Sequence, residues 1–168
     1  DVTCITQDTR KGKENIWYAG TGELWGGSSE LKGTGVYKST DNGETWSSLS
    51  ATFNATPESW DHPFEFVWRI VVDHTSLNQD VVYAATALGS IQRSTNGGTT
   101  WTPVLGAFAN GYGYFSEVAI APSGVVYATI SQQTSSGGTS VVKGVFRSTD
   151  GVKWTNISPS FLPAVFGR

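Results

Sequence analysis

Ser39-Thr40-Asp41-Asn42-Gly43-Glu44-Thr45-Trp46 comes back twice along the chain. It returns as Ser94-Thr95-Asn96-Gly97-Gly98-Thr99-Thr100-Trp101 and, one residue shorter, as Ser148-Thr149-Asp150-Gly151-Val152-Lys153-Trp154. The closing tryptophans, at positions 46, 101 and 154, are spaced 55 and then 53 residues apart. Self-similarity at a period near fifty residues marks a repeat architecture. The phrase is therefore the place from which to align everything else.

Outward from each copy the same order of short β-branched and aromatic runs recurs. Immediately before it stand Gly35-Val36-Tyr37-Lys38, Ser90-Ile91-Gln92-Arg93 and Gly144-Val145-Phe146-Arg147. Earlier come Ile16-Trp17-Tyr18-Ala19-Gly20-Thr21, Val81-Val82-Tyr83-Ala84-Ala85-Thr86 and Val125-Val126-Tyr127-Ala128-Thr129. Each unit opens with Val2-Thr3-Cys4-Ile5-Thr6, Arg69-Ile70-Val71-Val72-Asp73 or Glu117-Val118-Ala119-Ile120-Ala121. The tryptophan begins a fourth run. Four short strands joined by tight turns form an antiparallel sheet, and such sheets repeated radially are propeller blades. The sequence thus predicts an all-β chain of three four-stranded antiparallel blades, a partial β-propeller, with blades at about 1–50, 67–105 and 116–158.

The phrase falls at the hairpin between the third and fourth strands. There a short acceptor such as Asp41 bonds nearby backbone N–H groups, Gly43 supplies a positive φ, and Trp46 is expected to bury its ring beneath the turn. Asn96 replaces the aspartate in the second copy, and in the third Gly151 follows Asp150 directly.

The pattern Ser-x-Asp-x-Gly-x-x-Trp resembles the Asp-box, or bacterial neuraminidase repeat, found in propellers of sialidases, xyloglucan-cleaving glycoside hydrolases and sortilin-type receptors. The resemblance covers essentially the whole chain. It implies a structural role, remote from any active site, for Ser39, Asp41, Gly43, Trp46, Ser94, Asn96, Gly98, Trp101, Ser148, Asp150, Gly151 and Trp154. It also implies membership in a larger secreted or surface protein, with any chemistry lying away from the boxes.

Composition agrees with the strand reading and narrows the function. Only 15% of the residues are charged, there are 20 glycines and seven tryptophans, and the net charge of −3 offers no basic footprint for nucleic acid. No apolar run is long enough to span a membrane as a helix. Cys4, the lone cysteine, reads as a small buried apolar residue. The chain has no initiator methionine and ends on Arg168, which fits a piece released from a longer protein.

In a four-strand meander the connections alternate between two faces. The repeated phrases mark one face, and all the long connections fall on the other. Those connections carry Glu23, Trp25 and Glu30, then Phe53, Glu58, Trp60, Asp61, His62, Phe64, Glu65 and Phe66, then Phe108, Tyr112, Tyr114 and Phe115. Long loops on a rigid scaffold are where binding tends to sit, and aromatics among few charges suit flat apolar surfaces such as sugar rings. Trp25, Trp60, Tyr112 and Tyr114 are the expected ligand-binding residues, and Phe64, Phe66 and Phe115 the expected filling between blades.

Enzyme chemistry has weaker support. Glycoside hydrolysis needs two carboxylates about 5–5.5 Å or about 6.5–9.5 Å apart, and Glu23, Glu30, Glu58, Asp61, Glu65 and Glu117 are the candidates. Xyloglucanase-like families place an aspartate after Tyr-Ala-x-Thr. Here Tyr18-Ala19-Gly20-Thr21 is followed by Gly22, and Tyr83-Ala84-Ala85-Thr86 by Ala87. Arg10 and Arg69 are the arginines left for gripping an anionic sugar, and Trp68-Arg69-Ile70-Val71 lacks the proline of the sialidase motif. His62 and His74 stand apart, and Asp41-Asn42-Gly43 lacks the alternating oxygens of a calcium loop, so neither a metal nor a cofactor is expected. The sequence reading is a binding or scaffold module of a secreted or cell-surface protein, with a glycan or protein partner. The alternative is a piece of a glycoside hydrolase whose catalytic residues lie partly outside it. Three blades leave two raw sheet edges, which further blades, another copy or another chain are expected to cap, and Phe161-Leu162-Pro163-Ala164-Val165-Phe166 reads as a link toward a fourth blade.

Overall fold

A computed structural model of the 168-residue chain describes residues 1–23, 31–57, 62–86, 90–106, 115–130 and 143–159. Three antiparallel sheets follow one another along the sequence. The first is β1 (Val2–Gln7), β2 (Trp17–Thr21), β3 (Val36–Ser39) and β4 (Ser47–Ser48). The second is β5 (Val67–Val72), β6 (Val82–Thr86), β7 (Ser90–Ser94) and β8 (Thr102–Leu105). The third is β9 (Ser116–Ile120), β10 (Val126–Ile130), β11 (Gly144–Ser148) and β12 (Thr155–Asn156). Each is a meander in sequence order, so all connections are between neighbours. The helical element among the described residues is a single 3₁₀ turn, Pro63–Glu65, capped by His62 Nδ1, which accepts from the Phe64 amide. The chain is a partial β-propeller of three blades.

Blade stacks on blade face to face through side chains, and the register shows which side chains. Ile5 pairs with Ala19 in the first blade, Ile70 with Ala84 in the second and Val118 with Ala128 in the third. These three are therefore equivalent positions. Ile70 and Tyr18 share one apolar layer, with Cys4, Val36, Phe64, Val82 and Ala84, between the first two blades. Val118 and Tyr83 share the next, with Ala85, Ile91, Val126 and Ala128, between the second and third. Small residues on the second strand of each blade (Ala19, Ala84, Ala128) let the sheets approach closely. Burial of this apolar surface is the main term holding the blades together.

The two outermost surfaces are left over, and they are sheet faces. The expectation of raw hydrogen-bonding edges is corrected on this point, because blades meet through side chains and not through strand pairing. Ile5 is 58% exposed, whereas Ile70 and Val118 are buried. At the other end Tyr127 is 37% exposed, whereas its equivalents Tyr18 and Tyr83 are buried.

Two further expectations change. Trp46, Trp101 and Trp154 precede the fourth strands instead of beginning them. Trp46 is also 36% exposed, so its ring is not buried under the turn, whereas Trp101 and Trp154 are half-buried against the neighbouring blade's layer. The difference follows from position: among the described residues no blade lies against the outer side of the first blade to cover its turn.

Candidate functional site

The repeated turns are built from short side chains closing on backbone. Ser39 Oγ donates to Asp41 Oδ1 (2.7 Å) and accepts from the Gly43 amide (2.9 Å), while Asp41 Oδ1 accepts from the Thr45 amide (2.9 Å). Ser94, Asn96, Gly98 and Thr100 repeat this arrangement at 2.9 Å in each of the three bonds. The third copy uses Ser148 and Asp150, which accepts from Val152 and Lys153 (2.9 and 2.7 Å). Trp46 and Trp101 each donate the indole N–H to the carbonyl of Gly43 or Gly98 at 3.0 Å. The Trp154 indole N–H has no such partner among the described residues. The backbone turns left-handed at Asn42 (φ 62°), Gly97 (φ 65°) and Gly151 (φ 70°), which are equivalent.

Donation from the Thr45 side chain and amide holds the Asp41 carboxyl down to about 2. A carboxyl lowered in the folded state stabilises above its unfolded value near 4 and loses that contribution as pH falls through about 2. Asn96 shows that an amide keeps the amide-to-side-chain bond. Asp41→Asn is therefore expected to lower the melting temperature at pH 7 by less than Asp41→Ala does, in thermal denaturation followed by circular dichroism, because it keeps the hydrogen bond and loses only the charge contribution. Loss of stability in the Asn variant equal to that in the Ala variant would show that charge, not hydrogen bonding, closes the turn.

On the opposite face, at the start of the innermost strands, the three blades leave an axial cleft of about 670 Å³. Thr3 from β1, Trp68 and Arg69 from β5, and Phe115, Ser116 and Glu117 at the start of β9 form its walls, with Glu23, Ile130 and Val145 at the margin. Register shifts occur between Val2 and Cys4 and between Val67 and Arg69, and such bulges turn side chains away from the regular alternation. The Trp68 and Phe115 rings lie 4.9 Å apart at 45°. Beside them Arg69 Nε donates to Glu117 Oε1 (2.9 Å) and Arg69 Nη2 to Oε2 (3.3 Å), a two-point ion pair with both partners about half exposed. The Glu117 carboxylate raises the Arg69 guanidinium above its ordinary value. An apolar wall next to a flat, charged hydrogen-bonding edge suits a ligand with one apolar and one hydroxyl-rich side.

Of the residues singled out in the sequence, Trp25, Trp60, Tyr112, Tyr114, Glu30, Glu58 and Asp61 lie outside the described residues. Phe64 and Phe66 are buried. Phe115 is not interblade filling: it is 41% exposed on the cleft wall. Glu65 is buried, accepts from Asn54 Nδ2 (3.2 Å), and does not line the cleft. Glu117 has both oxygens engaged by Arg69, and Oε1 also accepts from the Val118 amide (3.1 Å), so this carboxylate is held ionised against its cation. Arg10 is a buried strut between the first two blades and does not reach the cleft. Cys4 is buried, and burial pushes its thiol up. Among the described residues no group of His, Cys, Asp and Glu could hold a metal ion, and no helix is long and apolar enough to cross a membrane. The cleft residues Trp68, Arg69 and Glu117 were each visible in sequence as strand starts. Their convergence was not, because Trp68 and Arg69 belong to the second repeat and Glu117 to the third.

No protein-family model matches the chain, and no curated protein matches it. Solved structures do. The fold is similar to the GH74 xyloglucanase from Xanthomonas campestris, at 20% identity and a TM-score of 0.58, over 95% of this chain and 22% of that one. It is also similar to an ancestral GH74 enzyme, at 22% identity and a TM-score of 0.63, over 94% of this chain and 20% of that one. The chain thus spans about a fifth of the length of these enzymes. At such identities the likeness concerns the fold, and it shows that the chain folds as part of a β-propeller.

Proposed function

We propose that this chain is a glycan-binding part of a larger extracellular, bacterial propeller of the Asp-box family, and that the axial cleft is its binding site. The observation that carries the reading is the juxtaposition of the Trp68–Phe115 ring pair with the Arg69–Glu117 ion pair on the long-loop face. Rings can stack on the apolar face of a sugar, and the forked ion pair can exchange hydrogen bonds with its hydroxyls. In sequence, Trp25 follows Glu23 closely, Trp60 lies in the link to β5, and Tyr112 and Tyr114 directly precede Phe115. These four aromatics extend the proposed binding surface. The GH74 likeness makes β-linked glucan and xyloglucan oligosaccharides the first ligands to try.

Binding without cleavage is the favoured activity, since the Glu117 carboxylate beside the ring pair is tied to Arg69. The second reading, part of a glycoside hydrolase, draws on the same likeness and would need carboxylates from outside this chain. Isothermal titration with a panel of such oligosaccharides is expected to give saturable binding, with no release of reducing ends. Phe115→Ala is expected to weaken it about tenfold, the scale of one lost stacking partner. Binding unchanged by Phe115→Ala would remove the cleft from the proposal, and release of reducing ends would favour the hydrolase.

A further inference from the structure

We propose that the cleft between the second and third blades, on the face of the repeated turns, binds a guanidinium cation. The chain itself shows what fills such a cleft. The seam between the first and second blades is built on the same plan and holds a guanidinium of its own, that of Arg10.

The correspondence runs residue by residue. Asp8 and Asp73 follow the first strand of their blades, and their amides donate to the carbonyls of Ile16 and Val81. Each carboxylate accepts at Oδ1 from the amide two residues on, that of Arg10 at 3.1 Å and that of Thr75 at 2.9 Å. Tyr18 and Tyr83 are buried in the two seams and pair in register with Lys38 and Arg93. Burial raises both tyrosine hydroxyls, and a pair of carboxylates raises each further: Asp8 and Asp80 at Tyr18, Asp73 and Asp150 at Tyr83.

The contents of the two seams differ. In the first, Asp8 and Asp80 stand among three cations, Arg10, Lys13 and Lys38. Arg10 Nη2 joins Asp8 Oδ2 (2.5 Å) to Asp80 Oδ1 (2.9 Å), so one guanidinium bridges two blades. In the second, Asp73 and Asp150 line a cleft of about 260 Å³, and Arg93 is the one cation among its lining residues. Thr75 stands where Arg10 stands, and its short hydroxyl reaches only Oδ1 of Asp73 (2.7 Å). Arg93 donates Nε to Tyr83 Oη (3.2 Å) and lies over the Tyr83 ring. Lys153 acts on Asp150 from the exposed turn and does not line the cleft. The second seam thus keeps two carboxylates and has two fewer cations than the first.

That imbalance selects a cation, and the first seam selects its form. A planar group with several donors can span carboxylates on separate blades, whereas an ammonium is a point charge. The cleft is smaller than the usual site for a whole drug-sized ligand, so it suits a group of side-chain size.

The test is calorimetric titration of the 168-residue chain with ethylguanidinium chloride, with ethylammonium chloride as comparison. Saturable binding of ethylguanidinium, at least about threefold tighter than that of ethylammonium, is expected. Asp73→Asn and Asp150→Asn are each expected to weaken it about three- to fivefold, the scale of one partly exposed ion pair. Asn96 already occupies the position of Asp150 in the second repeat, so the turn accepts an amide there. Thr75→Arg supplies the cation from within the chain and is expected to abolish binding and raise the melting temperature. Should that variant fold poorly, the two asparagine variants decide the site. A blocked alanyl-arginyl-alanine peptide separates two sources of the group, and either result upholds the site. Tighter binding of the peptide assigns it to the arginine of a partner polypeptide, and tighter binding of ethylguanidinium to a small free cation. Absence of saturable binding, ethylammonium bound as tightly as ethylguanidinium, or binding unmoved by both asparagine variants would each overturn the proposal.

Discussion

Arg10→Ala is expected to cost about 3 kcal/mol of stability, the largest loss expected from removing one polar side chain among the described residues. Arg10 is buried and its five N–H donors are all used. Nε donates to Asp8 Oδ1 (2.9 Å), and Nη2 reaches both Asp8 Oδ2 and Asp80 Oδ1. Nη1 donates to the carbonyls of Ser76 and Gln79, both at 2.8 Å. Truncation would leave the Asp8 carboxylate buried without its cation and take a donor from the Ser76 and Gln79 carbonyls of the second blade, of which Gln79 keeps the Ser76 hydroxyl. Losing one partner of a buried pair costs far more than the pair contributes, because the survivor stays desolvated. Arg10→Lys keeps the charge and gives up the fork, so it should recover only part of the loss. Urea denaturation followed by tryptophan fluorescence measures both. A loss under 1 kcal/mol for the alanine variant would mean that water replaces the guanidinium freely. Asp80, lowered by Lys13 and Arg10, adds a pH dependence: its contribution is present above the ordinary carboxylate range and fades as pH falls through the lowered value.

Gly151→Ala should be nearly as damaging, at about 2–4 kcal/mol. The backbone there is left-handed, which costs an L residue about 1–2 kcal/mol. A Cβ would also stand 1.8 Å from Tyr83 Oη and 2.9 Å from its ring carbon, inside the seam between the second and third blades. Overpacking of this kind typically costs about 1–3 kcal/mol. Tyr83→Phe removes the atom that clashes most, so the double variant should be less than additive in a mutant cycle. Gly43→Ala is the internal comparison. Its φ is also positive, but the nearest atom to a Cβ is Trp46 Cζ2 at 3.9 Å, so only the backbone penalty applies. Equal losses at Gly43 and Gly151 in thermal denaturation would show that the seam contact contributes nothing.

These two positions mark what could be read in the sequence and what could not. The repeat of the Ser-Thr-Asp phrase gave the blade count and the strand order, because hydrogen-bonding pattern and turn chemistry are local. Burial is not local. Ile5 and Ile70, or Tyr83 and Tyr127, occupy the same place in their repeats and differ only in whether another blade covers them. Trp46 was misjudged for this reason, and so was Phe115, whose strand-flanking position looks like a filling residue until the axial cleft is assembled around it. Arg10, in sequence a candidate for gripping an anionic sugar, carried no signal of its place as a strut between blades. Its partners Ser76, Gln79 and Asp80 belong to the next repeat, and no motif links them to it. The cleft has the same origin, with walls drawn from three repeats.

The most direct measurement is titration of the intact chain with the oligosaccharide panel, alongside Phe115→Ala and Arg69→Ala, monitored by heat and by release of reducing ends. Saturable binding that weakens in both variants, without cleavage, is the expected result. Absence of binding to every member of the panel, or binding that both variants leave untouched, would contradict the assignment of the axial cleft as a glycan site.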